Sequence, residues 1–210
     1  MRHLIDPDAY GIYGLAGANP EETARAVRIS ALGSVPDGPI TFRPDPRADY
    51  AAAWQRWAEG PLRAALAPHL AKSLALAARG HHRELAAADL RLGDRLSFAA
   101  AEGSRAAGAR LIAEGEGALY LYEVSRLKEA AAAGAAAGHF ATVFAARAAA
   151  FHIAQIPACI AYLHAEWRAA TPLEYRYWHR FAPLCEAALP AALDALGQHT
   201  ETFTLQAASA

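Results

Sequence analysis

Cysteine is scarce. Cys159 and Cys185 are the only two in 210 residues, too few for a disulfide framework or a zinc cluster. Blocks of like charge are missing as well, and the formal net charge is −1. Nucleic-acid binding needs a basic face or stripe, so that class is set aside. The first residues, MRHLIDPDAY, hold acids and a proline where a secretory signal needs an apolar run. The compartment expected is the cytoplasm.

Catalytic patterns are equally thin. No H-E-x-x-H, C-x-x-C, P-loop or G-x-S-x-G pattern occurs. A carboxylate-bridged di-iron bundle needs Glu-x-x-His pairs on facing helices, and the chain has none. Gly11, Gly14 and Gly17 punctuate a loop ahead of a helix, but the dinucleotide fingerprint needs a preceding strand and other spacing. The reading there is a plain lead-in. Neither a cofactor nor a metal is expected.

The longest absence is of charge. Between Ala130 and Ala165 there is no Asp, Glu or Lys. Such a stretch belongs in an interior, and it is too long for a strand. A membrane span needs about 20 mostly apolar residues; here His139, Arg147, His152 and Gln155 interrupt the run, and Pro157 breaks the helix ladder. Two core helices of a bundle are therefore expected. The first runs from about Phe140 to His152, and the second starts at Pro157 after a turn. Ile156, Ile160, Leu163 and Trp167 share one apolar face of the second. On the first helix Arg147 is expected to leave the apolar stripe.

What is abundant is alanine, the best helix former. It supplies much of a 54% hydrophobic composition. Asn19-Pro20-Glu21-Glu22 reads as a helix start, with an end near Leu32 and Gly33 as cap. Residues 33–45 form a loop with a short extended piece at Ile40 to Phe42. Asp45-Pro46 repeats the start signal, with Tyr50, Trp54 and Trp57 on one face. Gly60 is expected to close that helix and Pro61 to open another, carrying Leu62, Leu66, Leu70 and Leu74. Leu85, Leu92, Leu96, Leu111 and Ile112 continue helical spacing, with breaks or bends expected at Gly93 and Gly103. Ser104 and Gly108 put two small residues on one face, suited to close helix packing. A helix is expected from about Leu119 to Ala133. Thr171-Pro172-Leu173-Glu174 starts another, and a leucine stripe then runs to Gly197.

Histidines and aromatics are the remaining candidates for chemistry. His81 and His82 read as surface residues, and His139, His152 and His164 as packing residues. Cys159, on an apolar helix without a base at recognisable spacing, reads as a buried filler. Tyr120, Tyr122, Tyr175, Tyr177 and the four tryptophans read as core. No catalytic residue emerges.

Two stretches resemble the urease accessory protein UreF family, all-helical partners in nickel insertion. Residues 75–112 carry an acidic, leucine-spaced helix and then Ser104, Arg105, Gly108, Leu111 and Ile112, similar to the family's Ser-Arg-x-x-Gly-x-x-Leu-Leu. Residues 138–167 look like the family's paired helices, joined at a proline turn and ending in a Tyr-Leu pair, Tyr162 and Leu163. The family's N-terminal Pro-x-Gly and Gly-Leu-Glu elements have no counterpart in residues 1–30. Its Pro-Leu-Gly-Gln segment is missing after the second stretch.

The expected fold is all-α, a single-domain irregular bundle of about seven to nine helices. It comprises a lead-in (1–18), a helical domain (19–197) and a polar tail (198–210). The resemblance implies a non-enzymatic maturation scaffold, a chaperone docking a metalloenzyme or its GTPase metal-delivery partner. Its partners would be proteins, with no nucleic acid and no membrane, and a homodimer is compatible with the role. In the tail, Phe203 and Leu205 lie two apart and would present one face to a partner. The alternative is a helical enzyme or cofactor binder of the haem-oxygenase-like type; a redox-enzyme maturation chaperone stands closer to the first reading.

Overall fold

Every described segment is helical or connects helices. The structure, a computed structural model, describes residues 18–30, 38–114, 122–172, 180–181 and 183–194. Helix α1 spans Pro20–Ser30, started as its sequence indicates: Asn19 Oδ1 accepts from the amides of Glu21 at 2.9 Å and Glu22 at 3.2 Å. Next comes α2, Tyr50–Trp57. Its cap is Asp49, which accepts from Ala51 N–H at 2.9 Å. The start expected at Asp45-Pro46 is thus displaced. Asp45 instead spends its carboxylate on a local turn, accepting from Arg47 N–H at 2.9 Å.

The break expected at Gly60-Pro61 does not occur. Helical backbone continues from α2 through a π-type segment, Ala58–Leu66, into α3, Ala67–Ala78. Proline in an α-helix removes a ladder bond and presses on the carbonyl four residues back. The wider turns pair each carbonyl with an amide five residues on, as Leu62 O does with Ala67 N–H. Pro61 is absorbed in this way. Leu62, Leu66, Leu70 and Leu74 then all lie buried along one continuous face.

Helix α4, His82–Gly93, ends at its glycine, and α5, Phe98–Glu114, follows. Gly103 lies inside α5 without a break. Helix α6 spans Tyr122–Ala132, α7 Phe140–Ala150 and α8 Gln155–Ala170; residues 183–194 form α9. Helices α7 and α8 form the interior. Phe140, Val143, Phe144, Ile160, Tyr162 and Leu163 are fully buried. The two touch each other little, however: α7 packs chiefly on α3 and α5, and α8 on α1. Arg147 does not leave the interior. Its side chain is 15% exposed, with Nη1 3.7 Å from Glu114 Oε2, because its guanidinium reaches along the bundle towards the end of α5.

Helix α1 spans the turn between these two helices. Arg25 donates to Phe151 O at 2.8 Å, and Glu22 accepts from Ala154 N–H at 2.6 Å. One turn of α1 thereby satisfies orphan groups at the end of α7 and at the start of α8. An aromatic cluster closes the far side, with Phe42 stacked on Trp167 at 5.9 Å and edge-on to Trp54 at 4.9 Å. Among the described residues there is no strand, and no helix is long and apolar enough to cross a membrane.

Candidate functional site

Two fully buried carboxylates, Asp89 and Glu166, organise the interior polar groups. Asp89 lies on the core face of α4, between Leu85 and Leu92. Its Oδ2 accepts from the amides of Ala137 and Gly138, both at 2.6 Å. Its Oδ1 accepts from His139 N–H at 3.0 Å and from Thr142 Oγ1 at 2.5 Å. These amides lead into α7, so Asp89 caps that helix from another element. The positive end of the helix dipole adds to the attraction.

A second layer continues inward. Thr142 gives its proton to Asp89 and can only accept from His69 Nε2, 2.7 Å away, which places the His69 proton on Nε2. Burial lowers the His69 pKa to about 4, against the opposing charge of Asp89. His139 is also fully buried, and burial lowers its pKa too. Neither of its ring nitrogens has a hydrogen-bond partner among the described residues.

Glu166 performs the matching task on α8. Its Oε2 accepts from the amides of Thr41 at 2.9 Å and Phe42 at 3.0 Å, while Oε1 accepts from the hydroxyls of Thr41 and Tyr162, each at 2.7 Å. Residues 39–43 are thus held as a strap across the bundle, bent at Ile40 and Thr41 rather than extended as expected. Burial outweighs these four bonds and raises the carboxyl's pKa. Tyr162 rises well above its ordinary value through burial and the neighbouring Glu166.

Both held segments cross α5, and each crosses at a glycine. A Cβ at Gly103 would lie 2.3 Å from Ile40 O, and one at Gly108 would lie 1.9 Å from Gly138 O. Ser104, between them, accepts from Phe140 N–H at 3.2 Å. The structure therefore places Ser104 and Gly108 against the start of α7. Tyr162 sits in the Glu166 cluster, with Leu163 buried beside it. Phe203 and Leu205 lie outside the described residues. Asp89 and Glu166 were not singled out from the sequence; the available signal was an acid on an otherwise apolar stripe.

The chemistry open to this arrangement is limited. Both carboxylates are saturated by donors. Burial pushes the Cys159 thiol up to about 12, far from a reactive thiolate. His164 is lowered to about 3 by burial, with help from Arg168. Among the described residues no three His, Cys, Asp or Glu side chains converge as a metal site. The described surface also carries a groove of about 540 Å³ between α4 and α6. Compared with protein-family models, curated proteins and solved structures, the chain matches none.

Proposed function

We propose that the chain is a non-enzymatic maturation scaffold, resembling the urease accessory protein UreF, that docks a metalloenzyme or its GTPase metal-delivery partner. One observation carries the reading. The two stretches that bear the resemblance, 75–112 and 138–167, interlock as a single unit: Asp89, Ser104 and Gly108 of the first all meet residues 138–142 of the second. Residues similar to the family pattern thus coincide with the packing points of the bundle. The saturation of both buried carboxylates agrees with a scaffold, since neither retains a lone pair for a substrate.

Affinity purification of the full chain from its native host tests the reading. Enrichment of a metalloenzyme or a GTPase is the expected result. Recovery of neither, from cells expressing the metalloenzyme, would overturn it.

A further inference from the structure

The connection between α6 and α7 has almost no side chains to hold it. Residues 133–139 read AGAAAGH, and His139 is the only one with a side chain larger than a methyl group. Residues 133–135 are exposed and Ala137 is half-buried. Of the alanines only Ala136 is buried, so apolar burial contributes little here. Gly134 and Gly138 both hold φ at +72°, a left-handed geometry that glycine enters without steric cost. The segment thus carries a pivot near each end.

What ties the segment down is polar. Asp89 accepts from the amides of Ala137, Gly138 and His139, and the His139 ring is fully buried. The ring is lodged against Gly93 of α4, where a Cβ would lie 3.2 Å from Nε2. Both of its nitrogens are without a hydrogen-bond partner among the described residues. An unpaired buried polar group opposes the closed state, and water supplies both partners once the ring is out.

The charges that bear on the ring come from three neighbouring elements. Asp89 of α4 favours a cationic ring, and Arg105 of α5 opposes it. His69 of α3 lies within the same electrostatic reach, and Lys72 and Arg95 act on it in turn. Desolvation outweighs the pull of Asp89, so the buried ring is neutral at neutral pH.

We propose that this connection is an acid-released latch: in mild acid His139 leaves the bundle as an imidazolium, turning on Gly134 and Gly138, while α7 stays docked. Opening takes the three amides from Asp89 and uncovers Gly108 on α5, which the Gly138 carbonyl otherwise covers. Thr142, on α7, remains on Asp89 and keeps His69 in place. The sign follows from burial. A ring whose pKa is lowered in the closed state stabilises that state fully above 6.5, and the contribution is lost as pH falls. For one histidine returning to its ordinary value, opening is favoured about tenfold more at pH 5.5 than at pH 7.5. The latch is independent of which partner the scaffold docks.

Amide hydrogen exchange of the full chain, followed residue by residue by NMR and corrected for its intrinsic pH dependence, tests the latch. The amides of Ala137, Gly138 and His139 are expected to exchange faster than that of Ile160 in α8. Their opening constant should rise about tenfold from pH 7.5 to pH 5.5. His139→Phe keeps a ring that takes no proton and should flatten the rise; His139→Gln serves the same purpose should the phenylalanine variant not fold. His69→Phe should leave the rise intact, since His69 is freed only when the whole chain unfolds. Latch amides that exchange in step with Ile160 would show that the connection opens only by global unfolding, which overturns the inference. So does an opening constant that is indifferent to pH, or a rise that survives loss of the His139 imidazole.

Discussion

Asp89 and Glu166 are both fully buried acids, and both hold a distant backbone segment, but their two oxygens are used differently. At Asp89 each oxygen faces at least one backbone N–H, a group that can only donate. At Glu166 the amides share Oε2, and Oε1 meets only hydroxyls, which can turn round and accept. The Asp89 site therefore tolerates no donor at either position. The Glu166 site can hold a proton on Oε1, in keeping with a carboxyl raised by burial. The number of bonds is similar; the reversibility of the partners makes the difference.

Replacing each acid by its amide breaks or sharpens this comparison. Asp89→Asn must set an NH₂ against a backbone N–H, and a cost of about 4 kcal/mol is expected in urea denaturation. A loss under about 1 kcal/mol would show that the cap can rearrange. Next comes Gly108→Ala, which drives a methyl into the Gly138 carbonyl of the Asp89-held loop. It should cost about 3 kcal/mol in the same measurement.

Acid should act on the Asp89 side as well. The unfolded state protonates His69 near pH 6.5, while the folded state resists down to about 4. Stability is thus complete above 6.5 and is lost as pH falls towards 4, by about 3 kcal/mol from this residue. His139 and His164 pull in the same direction. Thermal melts across that range check the sign, and a His69→Phe variant should show a shallower dependence.

On the Glu166 side the effects are smaller. Gly103→Ala should cost about 2 kcal/mol and speed hydrogen exchange at Thr41 and Phe42, with α7 unaffected. Glu166→Gln should cost about 1 kcal/mol, because Thr41 and Tyr162 can reverse their hydroxyls. The wild-type carboxyl, with its raised pKa, loses stability as pH rises past the ordinary carboxylate range. The penalty of Glu166→Gln should therefore shrink with rising pH; a penalty that grows would mean Glu166 is stabilised as its anion.

Much of the fold was legible because its signals are local. The Asn19 cap and the Leu62–Leu74 stripe need only neighbours within a turn or two of helix. The charge-free run after Ala130 marked the interior in the same way. The partners of Asp89 lie 48 to 53 residues away and those of Glu166 as far as 125, so helical period carries no trace of them. Pro61 misled for another reason: a proline signals a break in α-geometry, and the chain kept its helix by changing the geometry. Gly103 read as a weak point of a helix, yet it marks where another segment crosses; Gly108, read as a close-packing position, marks a second crossing.

Four long ties of the N-terminal third share nearly one span. Thr41 reaches Glu166 over 125 residues, Arg25 reaches Phe151 over 126, Trp54 reaches Leu184 over 130 and Glu22 reaches Ala154 over 132. On a ribosome adding roughly 5–20 residues per second, the strap and the tryptophans of α2 emerge well before anything exists to cover them. Helices α3 to α7 can dock on one another in the meantime, while Phe42 and Trp54 remain bare until α8 and α9 are made. A nascent chain stalled before Gln155 would present those aromatics to whatever chaperone or neighbour it met.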